Sequence, residues 1–271
     1  MEFNKIIFIM LIFLCLSGCL STNKQKINAT EIQNVSAKLL QRQVYCPSTN
    51  EEARRLYNNG LSLTDSGDVK NAIESYLKAV EIDSNYCDAM DNLGLLYRRQ
   101  NNLDEAIFWY KQSIKIFTNN IVSHNNLAVA YSMKGLTNES IAEFKLSIKI
   151  NPDDPEGYYG LGNVYRNIDE YKVAIDNFKI AEELYKNKSS PLITDARYQL
   201  SISYFALKQC DTSTSYIKQI YLEKSKDPFI NYMVGICHLV SNEIEEGKEY
   251  LAKAQNLGMK IPPEIAQKLN L

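Results

Sequence analysis

The sequence predicts an all-α fold, a solenoid of about six helix–turn–helix units stacked in a row and closed by a short C-terminal capping helix. Three observations predict it. Small residues recur at Gly60, Gly94, Ala128 and Gly162, each 34 residues after the last. Three other registers keep that step: Leu63, Tyr97, Tyr131 and Tyr165; Ala72, Ala106, Ser140 and Ala174, each followed by Ile; and Tyr76, Tyr110, Phe144 and Phe178. Registers that hold over four periods mark an internal repeat rather than chance. Within each period the large apolar residues lie three and four apart, which places apolar faces on two helices per unit. The small residues fall where the two helices of a hairpin approach, because a larger side chain there would push them apart.

Taken in order, the units run 53–86, 87–120, 121–154, 155–188, 194–227 and 228–261, with about five residues inserted at 189–193. The last two are degenerate and are recognised by Leu200, Ser201, Tyr204 and Ser213, then by Gly235, His238, Gly247 and Ala254. Helix punctuation supports the frame. Ser48-x-x-Glu51 has the form of a capping box ahead of the first unit. Asp154-Pro155, Ser190-Pro191 and Asp227-Pro228 each offer a capping side chain before a proline suited to a first helical turn. Gly258 is a helix stop, and Pro262-Pro263 opens a last helix with Ile265, Ala266 and Leu269. That cap, 262–271, is expected to cover the apolar face the final unit leaves open.

The pattern Leu-Gly-x-x-Tyr followed by Ala-Ile-x-x-Tyr/Phe, with Asn151-Pro152 ending the third unit, resembles the tetratricopeptide repeat. The resemblance implies a right-handed superhelix with a concave groove lined by the first helix of each unit. It also implies a protein or peptide as partner. In that family the second, fifth, sixth, ninth and twelfth positions of the first helix face the groove. Carried onto this frame they are Tyr57 and Asn58 in the first unit, Asp91, Asn92 and Arg98 in the second, and Asn125 and Asn126 in the third. Tyr159, Asn163 and Arg166 follow in the fourth. Asn58, Asn92 and Asn126 recur at one position, where an amide both donates to and accepts from a peptide backbone. The family consensus favours Asn at that place too. The later units offer Tyr198, Ile202 and Phe205, then Phe229, Tyr232, Ile236 and Leu239, either an apolar patch for a partner or residues buried by the C-terminal helix or by a frame shifted after the 189–193 insertion.

The N-terminus carries a different signal. Ile6 to Leu16 is almost wholly apolar, yet eleven helical residues rise only about 16 Å against a bilayer core of about 30 Å. The stretch is too short to span and has the length of a secretory signal's apolar region. Leu16-Ser17-Gly18-Cys19 resembles the lipobox of bacterial lipoproteins. The resemblance implies a signal peptide at 1–18 and lipidation of Cys19 as the first mature residue. The stretch to residue 47, rich in Asn, Gln, Lys, Ser and Thr, reads as a polar tether at 19–47 ahead of a solenoid at 48–271. Ile32, Val35, Leu39 and Leu40 offer one short amphipathic helix within the tether. Leu20 after the cysteine implies an outer-membrane destination facing the periplasm in an organism that has an outer membrane.

Charge and chemistry narrow the function. Without residues 1–18 the chain holds 29 basic and 31 acidic side chains, a balance that argues against nucleic acid. The two histidines, His124 and His238, fall at interior or edge positions of the hairpins. No phosphate loop, zinc motif or nucleophile elbow is present, so the sequence suggests neither an enzyme nor a cofactor or metal site. Four cysteines follow the anchor, and an exported chain permits them to pair. Of the three pairings, the repeat frame favours Cys46–Cys87 and Cys210–Cys237, which lie at matching ends of neighbouring hairpins. The layout is similar to that of tetratricopeptide lipoproteins such as the pilotins of type IV pilus systems. It is shared by adaptors for envelope proteases or peptidoglycan hydrolases. A cell-wall-fragment binder or enzyme is the remaining alternative.

Overall fold

The computed structural model describes residues 46–269 of the chain. The signal region, Cys19 and the tether up to residue 45 lie outside the described residues. Thirteen α-helices follow one another among the described residues. They pair into six hairpins: α1 (Glu51–Asp65) with α2 (Val69–Ile82), α3 (Cys87–Arg99) with α4 (Leu103–Ile116), α5 (Ile121–Met133) with α6 (Thr137–Ile150), α7 (Pro155–Asn167) with α8 (Tyr171–Asn187), α9 (Ile193–Ala206) with α10 (Cys210–Lys224), and α11 (Pro228–Val240) with α12 (Ile244–Asn256). The short α13 (Pro263–Leu269) ends the described chain.

The packing follows from the repeat registers. Tyr76, Tyr110, Phe144 and Phe178 are fully enclosed, none more than 2% exposed. Each tyrosine lies against the glycine of its own hairpin; a Cβ at Gly94 would come within 2.5 Å of the Tyr110 ring. Where serine replaces the small alanine of the second helix, it satisfies itself across the hairpin. Ser140 Oγ donates to the Ala128 carbonyl at 2.7 Å, and Ser213 Oγ to the Ser201 carbonyl at 2.9 Å. Buried polar groups need such partners.

Every hairpin turns through a residue in the left-handed region, at one register: Gly67 (φ 82°), Asn101 (61°), Gly135 (79°), Asp169 (61°), Lys208 (59°) and Asn242 (63°). Gly, Asn and Asp tolerate this conformation, whereas lysine does so at a cost of about 1 kcal/mol.

Three features of the expected punctuation are corrected. Asp154 precedes Pro155 at the start of α7 but makes no cap bond through its side chain, which accepts from Asn125 instead. The cap of α1 is Asn50, whose side chain accepts from the Ala53 N–H at 3.0 Å. Ser48 stands two residues earlier, accepts from the Asn50 N–H and donates to Asp83. A serine that already holds the incoming loop to α2's end is unavailable as a helix cap. At Ser190-Pro191 the helix starts only at Ile193, and Ser190 accepts from the Leu192 N–H at 3.3 Å. The inserted residues form an extra turn there, which leaves the proline outside the helix. Asp227, by contrast, caps α11 through the N–H groups of Phe229 (2.8 Å) and Ile230 (3.2 Å).

Two disulfides tie the ends of the stack. Cys46 joins Cys87 with Cα atoms 5.4 Å apart, and Cys210 joins Cys237 at 5.2 Å. The first fixes the segment before α1 to the start of α3, where the Cys46 N–H also donates to Asp88 Oδ1 at 2.8 Å. No helix among the described residues is long and apolar enough to cross a membrane.

Candidate partner-binding groove

The first helices of successive hairpins touch directly, α3 with α5, α5 with α7 and α7 with α9. No two second helices come together in the same way. The first helices therefore form the inner wall of the curve, and a groove runs along them.

At its centre lies an open cavity of about 670 Å³ between α5 and α7. Asn125, Asn126 and Val129 line it from α5, and Tyr159, Gly160 and Asn163 from α7. Asn125 is half-satisfied. Its amide nitrogen donates weakly to Asp154 Oδ2 at 3.4 Å, while its oxygen is enclosed without a donor. Flipping the amide would set its oxygen against the Asp154 carboxylate, so the orientation is fixed. Tyr159 packs its ring on Phe178 and Tyr185, and burial raises its pKa against opposing hydrogen bonds to Asn163 and Gln199. Gly160 takes the register of Asn58, Asn92 and Asn126. A Cβ there would stand 2.1 Å from the Phe144 ring, so the asparagine ladder breaks for a packing reason.

Several expected groove residues also join the repeats. Asn92 donates to the Tyr57 hydroxyl at 3.1 Å. That phenol is pushed up to about 12, chiefly by burial and then by Asp88. Asp91 turns into the joint between the second and third units, where Ser123 Oγ donates at 2.6 Å and Asn120 Nδ2 at 2.9 Å. Burial pushes its carboxyl up to about 6 against those hydrogen bonds. Asn58 stands exposed on α1 and Asn126 half-exposed in the cavity. Arg98 and Arg166 recur two repeats apart, each with its Nε enclosed, and the Arg98 guanidinium lies beside the Tyr110 hydroxyl, where it opposes the rise that burial gives that phenol's pKa. His124, outside the groove, is buried with Nδ1 2.6 Å from Glu143 and Nε2 3.0 Å from the Thr118 carbonyl. Burial opposes its imidazolium, but those two acceptors outweigh it and raise the pKa.

In the last two units Tyr198, Ile202, Phe205 and Phe229 rest on a core of Ile217, Ile220, Ile230, Met233 and Val234. Their outer surfaces, with those of Tyr232 and Ile236, remain half-exposed. Tyr198 donates its hydroxyl to Asp227 Oδ2 at 3.0 Å, which fixes that ring. Sequence reasoning missed Val129 and Gly160, although both sit at groove registers, the ninth and the sixth. Val122 and Met133, 37% and 49% exposed, extend the same wall and were likewise missed. Among the described residues no three His, Cys, Asp or Glu side chains group as metal ligands would.

Fold and groove together define a superhelical repeat protein built from helix hairpins, with an inner wall open to a ligand. Family models for the tetratricopeptide repeat match residues 51–119 and 134–169. Those two segments carry the tetratricopeptide repeat, and the remaining hairpins share its helix–turn–helix architecture. Solved structures agree on the fold. YrrB, described as a TPR protein with an unusual peptide-binding site, superposes with a TM-score of 0.56 at 20% identity, over 69% of this chain and 93% of that one. The pilF protein of Pseudomonas aeruginosa does so at 0.67 and 15% identity, over 77% and 92%. MamA does so at 0.53 and 25% identity, over 61% and 94%. A sequence comparison with curated proteins gives no match.

Proposed function

We propose that this chain is a non-enzymatic scaffold, held at the bacterial envelope by lipid on Cys19, that binds a segment of a partner protein in its concave groove. The observation that carries the reading is the cavity of about 670 Å³ on the inner wall, lined by Asn125, Asn126 and Asn163, of which Asn125 keeps an oxygen without a donor. Asn126 and Asn163 offer donors and acceptors to a peptide backbone. The finer proposal is assembly of an envelope machine, as pilotins of type IV pilus systems do, and it rests on the layout of signal, lipobox, tether and about six repeats. Peptide binding by YrrB belongs to that protein and lends the reading a precedent on the same fold.

A photo-crosslinking residue at Asn126 tests the groove in living cells, with one at Lys145 on the outer helix α6 as control. The expected result is one partner crosslinked at position 126 and absent at 145. Equal products at both sites would refute groove binding. Recovery of a secretin subunit supports the pilus role, whereas a protease or hydrolase overturns it. Clickable palmitate should label the wild type but not Cys19→Ala, and equal labelling would remove the anchor from the proposal.

A further inference from the structure

The inner wall changes chemistry at Arg166. On one side stand the amides of the central cavity. On the other, Phe205, Phe229 and Tyr232 gather into one aromatic cluster, with centroids 6.4 Å (Phe205–Phe229), 6.4 Å (Phe205–Tyr232) and 6.2 Å (Phe229–Tyr232) apart. All three rings are half-exposed, and Phe205 and Phe229 also rest on the core of the last two units.

Arg166 and Phe205 occupy the same register on the adjacent helices α7 and α9. The positive charge of Arg166 acts on the Tyr159 and Tyr198 hydroxyls of those two helices and on the Tyr171 hydroxyl at the start of α8. No carboxylate of the described residues lies within ion-pair distance of Arg166. The acids on the surrounding elements are engaged elsewhere: Asp169 with the Tyr171 hydroxyl, Glu156 with the Tyr185 hydroxyl, Asp195 with Lys224, and Asp227 with Tyr198 and the start of α11. An arginine without a counter-ion, in the same register row as a half-exposed aromatic cluster, is complementary to an anion attached to an apolar group. Its planar fork suits a carboxylate.

Resting on the groove reading above, we propose that this half of the groove selects a partner segment in which an Asp or Glu side chain adjoins a large apolar side chain. The carboxylate pairs with Arg166 and the apolar group covers Phe205, Phe229 and Tyr232. A side-chain carboxylate, rather than a chain terminus, fits because the wall continues on both sides of Arg166. A bound chain therefore passes the arginine instead of ending at it.

Two small probes test the pairing on the intact protein. In 8-anilinonaphthalene-1-sulfonate the sulfonate stands in for the carboxylate beside aromatic rings; N-phenyl-1-naphthylamine has the same rings and no anion. The wild type should bind the anionic probe more tightly by about tenfold, the scale of one charge-assisted pair. Arg166→Gln should abolish that preference while leaving the neutral probe and the urea midpoint unchanged. Phe205→Ala with Tyr232→Ala should weaken both probes. If that pair does not fold, Tyr232→Gln gives the same readout at lower packing cost. A preference that survives Arg166→Gln, or binding indifferent to the ring substitutions, overturns the proposal. A bead library of internal and C-terminal acidic peptides completes the test. Enrichment of a terminal carboxylate over Asp or Glu side chains refutes the segment chemistry. Should position 126 still crosslink its partner while the probes ignore Arg166, the inference fails and the groove reading stands. Probe selectivity without any crosslink supports the Arg166 pairing and removes the groove reading.

Discussion

Acid should stabilise this protein, and Asp91 is the main reason. Its carboxyl is enclosed at the joint between the second and third repeats, and burial moves its pKa from 3.8 to about 6 despite hydrogen bonds from Ser123 and Asn120. Folding therefore raises the proton affinity of the group. The stability it contributes is fully present below about 3.8 and is lost as pH rises through about 6. A displacement of that size corresponds to about 3 kcal/mol, an upper bound because the surroundings relax around the charge. Asp88 and Asp154 are also raised, mainly by burial, and act in the same direction. His124, whose pKa is raised, adds a contribution that is lost above the ordinary histidine range. Urea unfolding at pH 4.5, 5.5, 6.5 and 7.5 should show stability falling by about 1–3 kcal/mol across the series. Asp91→Asn should flatten the slope. Its absolute stability is a poorer readout, because the new amide nitrogen would face that of Asn120, whose oxygen already bonds Val122 and Ser123. Parallel slopes for wild type and Asp91→Asn would refute the assignment of the pH dependence to this carboxyl.

Three further outcomes are expected. Gly160→Ala should cost about 2 kcal/mol or more in urea unfolding, because the new methyl meets the enclosed Phe144 ring 2.1 Å away; a neutral result would mean the ring has room to move. Lys208→Asn should raise stability by about 0.5–1 kcal/mol, since Lys208 is exposed and stands at φ 59°, where Asn101 and Asn242 occupy the equivalent turns. A loss on that substitution would show that the lysine side chain has a structural partner. Reducing the disulfides should lower stability by about 3 kcal/mol for each, given sequence separations of 41 and 27. Thiol titration of the unfolded, non-reduced protein should find Cys46, Cys87, Cys210 and Cys237 unreactive.

Much of the fold was legible because the same packing problem recurs every 34 residues. Gly60 and Gly94 face Tyr76 and Tyr110, so small and large residues must keep step for the hairpins to close. The turn register was equally available, as Gly67, Asn101, Gly135 and Asp169 are spaced by the same period. It escaped notice because the later members include Lys208, which has no preference for that backbone. Helix starts were less legible. Ser48 and Asn50 both satisfy the capping rule, and only the bond from Ser48 to Asp83, far away in sequence, decides between them.

The groove was legible as a set of positions and not as a set of roles. Asp91 and Asn92 stand at expected groove registers, yet both reach across to neighbouring repeats and hold the stack together. A single-sequence pattern cannot distinguish a polar group facing a ligand from one facing the next repeat, because both lie on the same helical stripe. The twelfth position separates the two. It reads Thr64, Arg98, Ser132, Arg166, Phe205 and Leu239 along the stack, and packing imposes no common residue there, unlike the glycine and aromatic registers. Thr64 turns back onto the Gly60 carbonyl, whereas Arg98 and Arg166 keep an enclosed Nε without an acceptor. Arginine recurs there at 98 and 166 although the fold accepts a threonine, a serine, a phenylalanine and a leucine at the same register. If the inner wall meets an anionic partner at Arg166, then Arg98, two repeats earlier in the same row, is the second place where that partner's charge should be sought.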